Sequence, residues 1–480
     1  MGKNTENSLC RKEIFRYFIF AGGKREDNMN EKQEAKFLRM TTQPVGKLIC
    51  SLAVPTIISM MVTAAYNLAD TFFVGMLKSN SATGAVGVVF SLMAIIQAMG
   101  FFFGHGSGNY ISMELGRQNT DNAGKMAATG VVYAFLAGTV LLILGQIFLE
   151  PLALLLGSTD TILPYAKEYL RIILIGAPYM TASFVLNNQL RFQGSATYGM
   201  VGIVIGAVLN VGLDPLFIFG FHMGISGAAW ATIISQLASF FLLILGCSKG
   251  GNLKIRLKNT QFQFRYFLQI CKGGLPSLCR QGLMSIATIC INRAAGAYGD
   301  AAIAAMGVVQ RAMMMANSAL IGFGQGFQPV CGFNYGAKFY GRVKKGYWFC
   351  VRWGTLGLLI LGIAMFALAP QIVTIFRDDP TVVAFGTVAM RCQCCTLFLN
   401  GFNMISSMMT QTLNRVVPAS VLAICRSGVF LIPTVLIAPH FFDAFGIQMA
   451  QSVADVCSFL LTIPLTIPLL RELSEAEKAQ

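Results

Sequence analysis

The chain has 480 residues, 55% of them hydrophobic and only 12% charged, with a mean hydropathy of +0.62 and a formal net charge of +15. That balance excludes a disordered chain, and recurrent apolar runs of about 20 residues, the length that crosses a bilayer, exclude a water-soluble enzyme. Basic loops beside anionic lipid headgroups account for the positive charge, and no nucleic-acid partner is expected.

In chain order, residues 1–47 are polar and mixed in charge; their one apolar stretch, from Ile14 to Ala21, is broken by Arg16 and is too short for a cleavable signal or a span. Spans are predicted near 48–75, 83–105, 127–149, 162–186, 195–219 and 224–246. A basic connection at 247–266 follows, then spans near 267–295, 301–325, 349–369, 380–409, 418–438 and 445–469, and a tail at 471–480. The prediction is an all-α polytopic membrane protein with twelve transmembrane helices. Lys and Arg gather in alternate segments, including the first 47 residues, Lys249 to Lys272, and the cluster Lys338, Arg342, Lys344, Lys345 and Arg352, whereas the opposite loops hold only Lys78, Lys167 and Arg377. Both termini are therefore predicted to be cytoplasmic. Most of the 13 cysteines fall within apolar spans, so no disulfide framework is expected, and Cys392, Cys394 and Cys395 read as small apolar side chains.

An offset near 220 brings the second half of the sequence into register with the first. Gly87-Val88-Val89 falls on Gly307-Val308-Val309, Gly104 and Gly106 on Gly324 and Gly326, Gly116 on Gly336, and Pro55 on Pro276 after a one-residue gap. Two six-helix lobes, 48–246 and 267–470, are predicted around a central cleft, related by an axis along the membrane normal. The register fails at the acids. Asp70 falls on Cys290 or Ile291, Asn210 near Gly428 and Asp214 near Ile432, so the acidic site belongs to the N-terminal lobe.

Asp70 and Asp214 carry the chemistry, because a carboxylate inside a span costs about 3 kcal/mol even on lenient scales. Both lie roughly 8 Å inside the outer boundary at 1.5 Å per residue. Thr232 on the sixth span sits at similar depth, and Asn210 precedes Asp214 by one turn on the same helix face. Pro215 cannot donate to the carbonyl of Val211, which adds a backbone oxygen. Such an all-oxygen set suits Na⁺, and a close carboxylate pair suits a proton; the residues leave that choice open. Asp455 is expected to pair with Arg426 in a structural role, and Arg280, Arg293 and Arg311 read as interhelical or interfacial anchors. No phosphate-binding Gly-x-x-x-x-Gly-Lys motif, zinc set or catalytic triad is visible, so no enzyme is expected. The run Gly104-His105-Gly106-Ser107-Gly108 follows a helical span and is read as a hinge at the membrane end.

At these residues the chain resembles the multidrug and toxic compound extrusion (MATE) family, over about residues 44–470. The resemblance rests on the Asp-Thr-x-x-x-Gly pattern at Asp70 to Gly75 and the Asn-x-x-x-Asp-Pro pattern at Asn210 to Pro215. Gly274-Leu275-Pro276-Ser277-Leu278-Cys279-Arg280-Gln281-Gly282 points to the bacterial multidrug-efflux branch. The resemblance implies a cation site at Asp70, Asn210, Asp214 and Thr232, with Na⁺ or H⁺ as coupling ion and no other cofactor. It also implies a substrate cavity near Tyr66, Asn67, Arg280 and Gln281, and a monomer in the bacterial plasma membrane that exports small organic cations and amphipathic drugs by alternating access. The alternative is a flippase for lipid-linked saccharide or peptide precursors, for which Arg280, Arg293 and Arg311 would contact phosphate.

Overall fold

The computed structural model describes residues 33–76, 80–250, 253 and 255–479, and these are almost wholly helical. Most of the polar segment 1–47 and the loop residue Lys78 lie outside the described residues; 33–42 form a short helix. In order, the long helices are α1 (Val45–Gly75), α2 (Asn80–Gly116), α3 (Thr120–Ile147), α4 (Leu163–Phe192), α5 (Ala196–Pro215) and α6 (Gly224–Gly250). The second half holds α7 (Phe264–Gly296), α8 (Asp300–Gly336), α9 (Tyr340–Ala367), α10 (Pro380–Leu397), α11 (Val416–Ile424) and α12 (Pro439–Lys478). A helix keeps every backbone N–H and C=O paired within one segment, which is why apolar runs of this length fold this way in lipid.

Local chemistry sets the ends. The Asn119 side chain accepts from Asn122 N at 3.2 Å to start α3, and Asp379 Oδ1 accepts from Thr381 N at 2.9 Å to start α10. Gly299 turns the chain between α7 and α8 at φ 94°, a conformation that a side chain would strain. Pro215 ends regular α5, and the chain continues as a π turn, Leu216–Gly220; α11 likewise runs into a π segment, Cys425–Leu431, before Ile432–Ile437.

Among the described residues nine helices are long and apolar enough to cross a membrane, or ten when α10 is joined to Leu399–Thr412, to which it is bent by 56°. The remaining two, α7 and α8, have 33 and 37 residues but are diluted by polar side chains such as Arg280, Arg293, Gln310 and Arg311. Several helices outrun the predicted spans. α2 continues past 105 to Gly116, a stretch without proline, and α8 past 325 to Gly336, running on through Pro329. Short helices at Leu149–Leu155 and Ala369–Phe376 replace what the sequence suggested were span ends.

α1, α4, α5 and α6 pack around one another beside α2 and α3, and α7 to α12 form the corresponding group in the second half. The halves meet through α1 against α8, α2 against α7, and α2 against α8. Exchanging the halves maps this set of pairs onto itself, the pattern of a two-fold relation. The meeting faces are glycine-lined, which lets backbones approach closely. A methyl on Gly326 would lie 2.6 Å from Ala53 Cα, and one on Gly106 would lie 2.2 Å from the Ile270 carbonyl oxygen. These contacts lie in the half of the molecule that carries both described termini, where Arg342 Nη2 donates to the Gln43 carbonyl at 2.6 Å and Lys344 pairs with Glu477 at 2.6 Å.

Candidate cation site and the polar seam between the halves

Asp214 and Asn210 face the interior of the first half, with Asp214 fully buried. Asn210 Nδ2 donates to Asp214 Oδ1 at 3.3 Å, as their one-turn spacing allows. That bond orients the amide and leaves Asn210 Oδ1 buried with no hydrogen-bond partner among the described residues. A buried carbonyl oxygen without a donor is costly, and a cation beside the carboxylate would satisfy it.

Thr232 is brought to the same level by the antiparallel packing of α5 and α6. Methyl groups built on Gly202, Gly206 and Gly227 would meet Leu243, Ser239 and Phe217 at 2.7 to 2.9 Å, a register that sets Thr232 beside residues 212–213. Its hydroxyl donates back to the Ala228 carbonyl at 3.0 Å, so its oxygen lone pairs stay available to a cation.

α1 packs along α5. Asp70 and Asn67 lie on α1, but their side chains are outside the described residues. Tyr66, one turn before Asp70, lines a small cavity with Thr63, Asn187, Asn210, Gln236 and Ser239. The cavity volume, about 40 Å³, holds a few waters or an ion and excludes a drug-sized molecule. Thr63, Asn187, Gln236 and Ser239 were not singled out from sequence. Thr232, Gln236 and Ser239 do follow one another at i, i+4 and i+7 on α6, a polar stripe legible in the sequence.

The run Gly104 to Gly108 is not a hinge at a membrane end. It lies inside continuous α2, and its glycines are sites of close approach: a methyl on Gly108 would lie 2.1 Å from Phe192 Cδ2. Among them His105 is buried and bridges the halves, with Nε2 3.2 Å from Arg191 Nη2 on α4 and Nδ1 3.0 Å from Ser277 Oγ on α7. Guanidinium only donates, so Nε2 accepts and Nδ1–H donates to the serine. Gln411 Nε2, on the Leu399–Thr412 helix, reaches the same Ser277 Oγ at 2.7 Å and the Gly273 carbonyl at 2.8 Å. The seam continues with Gln281 Nε2 donating to Gln97 Oε1 at 3.2 Å. Arg280, next to it, keeps Nη1 buried with no hydrogen-bond partner among the described residues.

Asp455 accepts from Arg426 Nε at 2.9 Å, Gln451 Nε2 at 3.0 Å and Asn400 Nδ2 at 3.2 Å. The expected pairing of Asp455 with Arg426 is thus present, within a cluster of amide donors. No group of three or more His, Cys, Asp or Glu side chains with metal-binding spacing occurs among the described residues, and the described cysteines are all free.

The MatE family model matches the chain twice, over residues 55–216 and 276–437, which together make up more than half of it. The chain belongs to the MatE family. The two MatE matches are displaced by 221 positions, and each ends at a π segment or just beyond it. Among similar relatives are the multidrug export protein MepA of Staphylococcus saprophyticus, 25% identical over 438 residues that cover 91% of this chain and 96% of the relative, and MepA of Staphylococcus aureus, 25% identical over 431 residues covering 89% and 95%. A solved MATE transporter of the MOP superfamily, described as outward-facing and multidrug-resistance-related, superposes with a TM-score of 0.86 at 24% identity over 91% of this chain and 98% of that one. At that identity the likeness establishes the MatE fold alone.

Proposed function

We propose that this MatE protein is a cation-coupled antiporter that exports amphipathic, mostly cationic organic compounds. The observation that supports it most directly is the buried Asn210–Asp214 pair with its unpartnered amide oxygen, placed beside an ion-sized cavity in the first half. An intramembrane carboxylate attracts either a metal cation or proton, or a positively charged substrate. Binding of the coupling ion neutralises Asp214 and weakens its hold on a cationic substrate, so the two ligands compete and exchange across one conformational cycle. The 40 Å³ cavity takes the ion; the drug binds between the halves, near Gln97, Arg280 and Gln281.

With both termini cytoplasmic, the glycine-lined contact at the termini end closes the cytoplasmic side, and the state is outward-facing. All twelve helices cross the membrane in this reading, α7 and α8 being polar because they line the cleft. A second reading, export of a lipid-linked phosphate compound, draws support from Arg280, whose buried Nη1 would receive a phosphate oxygen.

The test is reconstitution into liposomes with Na⁺ and H⁺ gradients imposed separately while efflux of a fluorescent organic cation is followed. Dye movement against its gradient under either ion supports the proposal. Gradient-independent movement, or movement of an anionic lipid phosphate with no response to the dye, overturns it.

A further inference from the structure

At the end that carries the termini, α9 and α12 diverge and leave a groove of about 1090 Å³ on the outside of the second half, well away from the cation site. Five basic side chains line it, Lys344, Lys345, Arg352, Arg471 and Lys478, against two acidic ones, Glu475 and Glu477. Lys344 is committed to Glu477 at 2.6 Å and to Ser474 Oγ at 2.7 Å. The other four cations make no ion pair among the described residues, and all four are exposed.

The groove is graded along its length. α9 starts at the termini end with Lys345, passes Trp348 after one turn, and reaches Arg352 and Trp353 about 10 Å deeper at 1.5 Å per residue. α12 runs the opposite way and offers Ile467 and Leu470 at depth, then Arg471 and Lys478 toward its end. Apolar and indole surface at the deep end passes into unpaired positive charge at the shallow end. Two of the chain's three tryptophans line it, 43% and 58% exposed, Trp348 nearer the basic end, where an indole ring suits headgroup level, and Trp353 deeper.

We infer that this groove is a binding site for an anionic glycerophospholipid, with an acyl chain along Trp353, Ile467 and Leu470 and the phosphate among Lys345, Arg471 and Lys478. A soluble protein or peptide would not use the deep apolar half, and a free phosphate would not use the tryptophans. Arg352 lies below the headgroup level and reaches up its own helix toward the phosphate, its stem covered by indole surface. A lipid held there braces the start of α9 against the last turns of α12 and so ties the second half together at its closed end.

The experiment uses the full chain with Trp230→Phe, so that fluorescence reports Trp348 and Trp353 alone. The protein is reconstituted in phosphatidylcholine vesicles containing either a brominated phosphatidylglycerol or a brominated phosphatidylcholine at equal mole fraction. Anionic lipid should quench preferentially, with local enrichment of about fivefold per engaged basic side chain. Lys345→Gln/Arg352→Gln/Arg471→Gln should abolish the preference while leaving quenching by phosphatidylcholine intact. Equal quenching by the two lipids in the Trp230→Phe protein, which needs no groove substitution to be folded, overturns the inference. So does a preference erased by inorganic phosphate at constant ionic strength, which would assign the basic end to a soluble anion.

Discussion

Gly116 on α2 and Gly336 on α8 hold reciprocal positions across the boundary between the halves. A methyl on Gly116 would lie 2.1 Å from the Phe333 carbonyl oxygen, and one on Gly336 would lie 2.1 Å from the Met113 carbonyl oxygen. Residues 113 and 333 are separated by the same 220 positions as the two glycines, so one contact is the image of the other. Because the obstacles are backbone atoms, neither contact can relax by rotating a side chain.

Gly336→Ala should therefore push the halves apart at the termini end and destabilise this state by about 1–3 kcal/mol, the usual range for overpacking. Gly307→Ala, farther along the same helix with no atom within 4 Å of the added methyl, is the control and should be neutral. Labelling of Cys331, fully buried next to this seam, reads the outcome by peptide mass spectrometry. Faster labelling in Gly336→Ala alone is the expected result; identical labelling in both variants would mean that the seam is not held by backbone contact.

Asp214→Asn should reduce ion-driven dye efflux to the level of empty liposomes while the purified protein keeps its thermal midpoint. Removing a desolvated charge relieves a burial cost and preserves shape. A folded variant with near-normal efflux would place the coupling carboxylate elsewhere.

The uncharged oxygens decide the ion. Sodium needs several oxygens at about 2.4 Å, so Asn210→Ala and Thr232→Ala should each weaken Na⁺-induced thermal stabilisation and Na⁺-driven efflux at fixed pH. Protonation of a carboxylate needs neither residue. Equal responses in wild type and both variants, or none in any, would identify the cluster as a proton site.

Asp455→Ala should behave in the opposite way to Asp214→Asn. It strips three donors of their acceptor and leaves the partly buried Arg426 uncompensated, at a cost of about 1–3 kcal/mol. Loss of expression and a lower thermal midpoint are expected, with efflux per folded molecule retained. A stable but inactive variant would move the coupling site into the second half.

The helical architecture was legible because hydropathy and length act locally: each apolar run had to satisfy its own backbone in lipid. The pairing of Asn210 with Asp214 was legible for the same reason, since four residues along one helix fix the geometry. The polar seam was not. Gly104 to Gly108 reads as flexible in one dimension, and only the approach of α7, more than 160 residues later, turns His105 into a bridge to Ser277, while α4 and α7 together turn its glycines into contact points. Asn187 was invisible at the cavity for a similar reason, because nothing in the run Asn187-Asn188-Gln189 says which amide meets the cavity until α1, α5 and α6 surround it. Long helices were cut short where the sequence offered polar residues but no break, as past residue 105 of α2.

Each half carries a π segment on its fifth helix, Leu216–Gly220 just after Pro215 in the first and Cys425–Leu431 just before Pro433 in the second. A π bulge amounts to one residue inserted into an α-helix, and expelling it would turn everything beyond it by about 100°, the angular step of one α-helical residue. In the first half, the end of the fifth helix beyond Pro215 thus has a built-in step of fixed size. A turn there leaves Gly202 and Gly206 seated against Leu243 and Ser239, so movement beyond Pro215 need not disturb the helix packing beneath Asp214.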